Sequence, residues 1–316
     1  TITGSNSTAP YIFDYTLNGT PFSNSGNPVL NINQSTAVAD TFVYHLTGVT
    51  DGSIRACNSV MDTTIRVIVN PLPTATISGD TTICNNSPQP SVTFVGNGGT
   101  APYIFTYTYN GNTLQVTAPI DSVQVSIATN TVGTFPIQLI SVSDSSPTQC
   151  ENAVSGMATI VVLPNPTATL NQDITVCQND TPPTVTFTGA NSTPNYTFDY
   201  LINGTPASIT STGNTATITI PTNVVDTINV QLVQITDASV RTCNTIMDTT
   251  IMVIVNPLPL ATISGDTSVC ELDNSPIVTF TASNATAPYW VYYTINGVAD
   301  SIRTTGNTAT LAHPTT

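Results

Sequence analysis

Charge is scarce in this chain of 316 residues. Only 7% of them are charged, against about 25% in an ordinary soluble domain. Lysine is absent altogether, and four arginines (Arg55, Arg66, Arg241, Arg303) face eighteen acids, for a net charge of −14. A surface of that sign repels phosphate backbones, which excludes nucleic acid as a partner. Without lysine no Lys–Asn isopeptide crosslink can form, so any covalent reinforcement must come from cysteine. Histidine is limited to His45 and His313. With no lysine and no second histidine nearby, neither a nucleophile–base pair nor a proton relay can be assembled, and the chain is not expected to be an enzyme. Cys-x-x-Cys is also missing, which argues against cysteine-ligated metal, and no cofactor is expected. Long apolar runs are missing too: twenty-three prolines and eighteen glycines interrupt each run before the roughly 20 residues of a membrane span, so no membrane insertion is expected. The chain opens on Thr1 without a basic-then-apolar leader, so a signal peptide is expected to have been removed or to lie outside this stretch.

What is present is Thr, Asn, Ser, Val and Ile, a mixture that favours strands, arranged with a strict internal period. Cys57, Cys150 and Cys243 are spaced by 93 and 93, as are Cys84, Cys177 and Cys270. Proline linkers keep step: Asn70-Pro71-Leu72-Pro73, Leu163-Pro164-Asn165-Pro166 and Asn256-Pro257-Leu258-Pro259. So do Tyr103, Tyr196 and Tyr289, the pairs Asn110-Gly111, Asn203-Gly204 and Asn296-Gly297, and Asp51, Asp144 and Asp237. The frame predicts complete repeats at 72–164 and 165–257. Residues 1–71 form a repeat lacking its first strand, and 258–316 one lacking its last strands. Both ends then fall inside a domain, so the parent protein is expected to continue in both directions.

Within a repeat the apolar period is two, the signature of half-buried strands. Strands are predicted near 74–78, 91–96, 103–109, 113–117, 121–127, 134–143 and 156–163, with no helical spacing anywhere. Asn110-Gly111 suits the positive φ angles of a tight hairpin turn. About seven short strands per repeat predicts an all-β fold, a tandem array of immunoglobulin-like β-sandwiches. The proline-bracketed junctions should be stiff and extended, each repeat advancing the array by roughly 40 Å.

Four segments in fixed order resemble the PKD-like and SprB-type repeats of giant Bacteroidota cell-surface adhesins, including those of gliding motility. They are Ala75-Thr76-Ile77-Ser78-Gly79-Asp80 with Cys84, Ala101-Pro102-Tyr103, Leu46-Thr47-Gly48-Val49-Thr50-Asp51 leading to Cys57, and Val67-Ile68-Val69-Asn70-Pro71. The likeness spans the whole chain. It implies type IX secretion and display at the cell surface, without identifying a ligand. One departure is plain: the family's usual glycine before the second cysteine is replaced by Ala56, Gln149 and Thr242, which predicts a turn unlike the family's.

Six regularly spaced cysteines in a secreted β-protein imply disulfides, and the spacing leaves three pairings open. Bonds within repeats would join Cys84 to Cys150 and Cys177 to Cys243, leaving Cys57 and Cys270 over. Bonds across linkers would join Cys57 to Cys84, Cys150 to Cys177 and Cys243 to Cys270. A third pattern stitches neighbours through Cys84 and Cys243. Loop-closure entropy, roughly 4 against 3.5 kcal/mol for the first two, does not separate them. The within-repeat pattern is preferred because domains generally fold alone.

Asp51, Asp144 and Asp237 recur at one strand end, which points to a turn-capping role, with calcium binding as the sharper alternative. His45 occupies the slot of Gln138 and Gln231 and reads as an exposed polar strand residue. Trp290, the single tryptophan, is out of phase with Tyr289 and Val291, making it a candidate outward-facing surface contact. The Asp-Ser/Thr-apolar/Thr pattern associated with O-glycosylation in Bacteroidota marks Thr63, Ser122, Thr227 and Thr249. Together these features predict an extracellular stalk or filament module whose rigid repeats bear tension. The expected partners are neighbouring repeats, chains associating laterally into a filament, and surface polysaccharide. Two alternatives remain: repeats that bind polysaccharide directly by avidity, and spacers within a large secreted enzyme.

Overall fold

The computed structural model describes residues 1–314 and falls into two compact units, Thr1–Val162 and Leu163–Thr316. Among the described residues every regular element is a β-strand. The fold class expected from the sequence, tandem immunoglobulin-like β-sandwiches, is the one observed.

In the second unit a three-stranded sheet (Thr167–Leu170, Thr184–Ala190, Thr215–Thr219) accompanies a five-stranded one. The larger sheet runs in the order Ile174–Cys177, Asn244–Asn256, Asp226–Thr236, Thr197–Ile202, Thr205–Thr210. Period-two alternation sends Val185, Phe187, Phe198, Tyr200, Val230, Leu232 and Val253 into one core between them, and the pleat leaves the intervening Thr and Asn residues outside. The first unit contains the same pair of sheets. Ser122–Ser126, Ser91–Asn97 and Thr74–Ser78 form one; Asn112–Ala118, Tyr103–Tyr109, Gly133–Ser143, Glu151–Leu163 and Thr81–Cys84 form the other. Phe94, Phe105, Ile137, Leu139 and Ile160 fill its core, none more than 1% exposed. The hairpin turns follow the expected chemistry, with Asn110 at φ 51° and Gly111 at φ 75°, and Asn203 and Gly204 at 48° and 82°.

One element was not foreseen. The opening strand divides in two: after Thr74–Ser78 the chain crosses to the other sheet and pairs as Thr81–Cys84, giving eight strands where seven were predicted. Gly79 makes the crossing possible. Its φ of +127° suits glycine, and a Cβ there would stand 2.8 Å from the Ser91 carbonyl oxygen. In the second unit the corresponding Ile174–Cys177 lies parallel to the closing strand, Ile174 opposite Val253 and Cys177 opposite Asn256. An aspartate fastens each crossing: Asp173 Oδ1 accepts the Met252 N–H at 2.8 Å and Asp80 Oδ1 the Thr159 N–H at 2.6 Å.

At the start of the first unit, Thr20–Gly26, Tyr11–Leu17, Asp40–Thr50 and Asn58–Val69 form a four-stranded sheet, beside the short pair Ile2–Thr3 and Val29–Leu30. The end of the second unit carries the sheet Leu260–Ser264, Ile277–Ser283, Thr308–Ala312 and the separate hairpin Trp290–Ile295, Val298–Arg303. The Asn70 amide donates to Thr148 Oγ1 at 2.8 Å, fixing the first proline linker to the following sandwich.

Candidate functional sites

The recurring aspartates close a turn at the start of the last long strand. Asp144 is buried. Its Oδ1 accepts from the Ser146 hydroxyl (2.7 Å), the Cys150 N–H (2.9 Å) and the Ser146 N–H (3.2 Å), and Oδ2 accepts from the Thr100 N–H at 2.9 Å. Asp51 repeats the pattern with Ser53 and Cys57 and takes the Ser7 hydroxyl; Asp237 takes the hydroxyls of Ser239 and Ser192. Burial pushes the Asp144 carboxyl up, but the N–H groups of Thr100, Ser146 and Cys150 and the Ser146 hydroxyl outweigh it and hold the group below the ordinary carboxylate value. At Asp51 the Ser7 hydroxyl leads in the same direction, followed by that of Ser53. Lone pairs directed at N–H and O–H donors are not offered to a cation, and among the described residues no cluster of three or more His, Cys, Asp or Glu is placed to hold a metal. The arrangement is a cap that ties two loops to the beginning of a strand.

The turn also answers the missing glycine. Ala56, Gln149 and Thr242 sit at φ 48°, 47° and 48°, and their N–H groups donate to Ser53, Ser146 and Ser239 carbonyls at 2.9, 2.9 and 3.0 Å. The conformation that favours glycine is therefore kept, at the cost of left-handed backbone strain. This is most pronounced at the β-branched Thr242.

The cysteines do not pair as preferred from the sequence. Cys57, Cys150, Cys177 and Cys270 are free thiols, whereas Cys84 and Cys243 are each disulfide-bonded. Cys84–Cys150 and Cys177–Cys243 are therefore not formed, nor are the bonds across linkers. The reason is geometric. Cys177 stands opposite Asn256, at the far end of the strand Asn244–Asn256 from Cys243. Thirteen residues of strand put them about 40 Å apart, while a disulfide needs Cα atoms within about 7 Å. What sequence spacing could not show is that the opening segment runs parallel to the closing strand.

The other candidate residues lie apart from one another. Trp290 is 60% exposed and points away from the core that takes Tyr289 and Val291. Tyr292, missed in the sequence, stands two residues along on the same face at 79% exposure, and Trp290 pairs across the hairpin with Arg303. Thr63, Ser122 and Thr227 are exposed and Thr249 is half-buried. His45 Nε2 lies 2.8 Å from Asp62 Oδ1, and Gln231 donates to Asp248 in the corresponding place at 2.8 Å. Both acids begin candidate glycosylation triplets.

Beneath the sandwich ends, a tyrosine packs on a residue without a side chain. A Cβ on Gly96 or Gly189 would fall 2.7 or 2.3 Å from the rings of Tyr103 and Tyr196. The Tyr196 hydroxyl donates to the Ser192 carbonyl at 2.7 Å and holds the loop that carries Ser192 to Asp237.

No protein-family model and no curated protein matches the chain. Among solved structures it is similar to the fibronectin(III)-like modules of Clostridium thermocellum CbhA, at 11% identity and TM-score 0.28, covering 58% of this chain and 95% of that one. It is also similar to immunoglobulin domains 1–5 of Sidekick-1, at 10% identity and TM-score 0.27, covering 93% and 66%. A third likeness is to SGBP-B of the Bacteroides ovatus mixed-linkage glucan utilization locus, solved with a mixed-linkage heptasaccharide, at 12% identity and TM-score 0.17, covering 96% and 82%.

Proposed function

We propose that the chain is a load-bearing stalk or filament module of a bacterial cell-surface adhesin, of the PKD-like and SprB-type kind, built from repeats at 1–71, 72–164, 165–257 and 258–316. The observation that carries this reading is the parallel pairing of Ile174–Cys177 with the closing strand. The chain enters the sandwich ahead of Ile174 and leaves it after Asn256, so tension pulls two adjacent parallel strands in opposite directions. Their hydrogen bonds are then loaded together in shear and must fail together, instead of opening one by one. Proline junctions anchored by contacts such as Asn70 to Thr148 transmit that load with little slack. In this reading neighbouring repeats are each other's partners, and exposed Thr-rich faces allow lateral association. Glycans on Thr63 and Ser122 would shield edge strands that have little charge to oppose aggregation, and one on Thr227 would stand on the exposed face of an inner strand. Stretching the whole chain between its termini under reducing conditions should give evenly spaced rupture steps of similar force. A smooth extension without steps would reject the reading, and an intact mass equal to the bare polypeptide from the native host would reject the glycans.

One observation favours a second role. Trp290, Tyr292 and Arg303 form an exposed aromatic and cationic face on one hairpin, the chemistry that stacks on sugar rings and pairs with acidic polysaccharide. Glycan arrays probed with the whole chain and with Trp290→Ala test it; retention that the variant leaves unchanged would remove it.

A further inference from the structure

The Asn-Gly hairpins at 18–19, 110–111, 203–204 and 296–297 each end a sheet on their second strand, and these strands differ in how they are closed to partners. Thr20–Gly26 carries Pro21 and Thr205–Thr210 carries Pro206, and the strands beside them place Asp14 opposite Ser23 and Asp199 opposite Ser208. Val298–Arg303 carries Asp300. Proline and charge at an edge keep a further strand from adding to a sheet. The counterpart in the first unit, Asn112–Ala118, has neither: Thr113 stands in the place of the prolines and Thr106 in that of Asp14 and Asp199. Its seven residues also exceed the four to six of the other strands that end a sheet in the two sandwiches.

The turn fixes which backbone groups of this strand face outward. Tyr109 and Asn112 flank the two-residue turn and exchange N–H···O bonds, so Leu114, Val116 and Ala118 also bond inward to their partners on Tyr103–Tyr109. The second unit shows the same parity, with the Ser211 N–H donating to the Tyr196 carbonyl at 2.8 Å. The N–H and C=O groups of Thr113, Gln115 and Thr117 therefore point away from the sheet. Their side chains are exposed on its outer face, where Gln115 donates to Thr106 Oγ1 at 3.2 Å, while Val116 packs on the core and Leu114, on the same side, stays 39% exposed.

We infer that this edge pairs antiparallel with the same edge of a second copy of the chain, about a two-fold axis at Gln115. The segment Thr113-Leu114-Gln115-Val116-Thr117 is self-complementary in that register. Thr113 meets Thr117 of the partner subunit, Leu114 meets Val116 of the partner subunit, and Gln115 meets its own counterpart. The outward N–H and C=O groups then satisfy one another, apolar side chains meet on the core side, and uncharged polar ones meet on the outer side, so that a chain of net charge −14 associates where it carries no charge. The five-stranded sheet continues through both copies, held by main-chain hydrogen bonds, and an isologous contact of this kind closes at the dimer. The inference names the surface for the lateral association proposed above and rests on that part of the reading, not on load bearing.

The test uses the whole chain with its free thiols alkylated, so that no intermolecular disulfide forms. Sedimentation velocity should show a concentration-dependent dimer, and hydrogen exchange should show protection of Asn112–Ala118 that rises with chain concentration while Thr205–Thr210 stays unchanged. Thr113→Pro, which installs the residue found at 21 and 206, should weaken dimerisation by roughly tenfold, the equivalent of one or two lost hydrogen bonds. Gln115→Asp and Gln115→Lys should each weaken it as well, because like charges then face each other across the axis, and an equimolar mixture of the two should recover it. Both positions are exposed, so calorimetric profiles should match the wild type and separate lost pairing from lost folding. A monomer at every concentration, a dimer that none of these variants weakens, or a mixture no stronger than its components would overturn the inference. A dimer protected elsewhere would remove this edge while leaving lateral association standing, and the rupture steps on stretching are expected from the monomer in every case.

Discussion

Replacing Asp144 with alanine should unfold one sandwich at a much lower temperature than its neighbours. The carboxylate accepts from three backbone N–H groups, those of Thr100, Ser146 and Cys150, and from the Ser146 hydroxyl. Alanine leaves the three backbone donors without that acceptor. Each bond to a charged acceptor contributes about 1.5–3 kcal/mol, but the turn lies at the end of the sandwich, where water replaces part of what is lost. A total near 3 kcal/mol follows. A sandwich of this size has about 5–14 kcal/mol of stability, so the loss is a large fraction, and at about 4–8 °C per kcal/mol the melting temperature should fall by about 15 °C. Calorimetry of the whole chain should show one transition moving down, and hydrogen exchange should locate it in 74–163. Acid reports on the same group. Its carboxyl lies below the ordinary aspartate value of 3.8, so its contribution is complete above that pH and is lost as pH falls through the lower, folded value. The wild-type transition should therefore shift down below about pH 3.8 while the Asp144→Ala transition moves less. A loss under about 0.5 kcal/mol, or a calcium-dependent melting temperature abolished by Asp144→Ala, would refute the capping account.

Three further outcomes follow. Thr242→Gly should stabilise its sandwich by about 0.5–1 kcal/mol in denaturant titrations, because relief of a β-branched residue at φ 48° exceeds the added freedom of the unfolded chain. Phe187→Ala should cost about 3–5 kcal/mol, since its ring is wholly buried 5.4 Å from Phe198 and 4.9 Å from Tyr200; a normal melting profile would show that the core is misassigned. Non-reducing peptide mapping should recover Cys84 and Cys243 only in disulfide form, with Cys150 and Cys177 alkylated beforehand as thiols, and a Cys84–Cys150 peptide would contradict the strand topology.

Most of the fold was legible because its signals are local. Alternation in Tyr103–Tyr109 and the Asn-Gly turns record the neighbourhood of each residue, and strict periodicity repeats the record. The short strand Thr81–Cys84 was not legible. Four residues are too few to show a period, and what makes them a strand is a distant partner, Glu151–Leu163. The same long-range fact decides the cysteines, which spacing alone placed at the wrong ends of one strand. At Ala56, Gln149 and Thr242 the residue type was misleading, because the Asp51, Asp144 and Asp237 networks impose a left-handed turn that these side chains disfavour. Trp290 could be assigned to the outer face by phase, and the same phase carries Tyr292 there, but Arg303 joined them only when the hairpin register was known.

The load-bearing account rests on the parallel strands resisting shear, and Val176→Pro tests it most directly. Gln178 N–H donates to the Asn256 carbonyl, and stepping back two residues along the parallel ladder makes Val176 the next donor, which proline removes. Single-molecule stretching under reducing conditions should show steps of about 30 nm, the length gained when a repeat of this size extends. In the variant one such step should move to clearly lower force. Unchanged force at every step would contradict the claim.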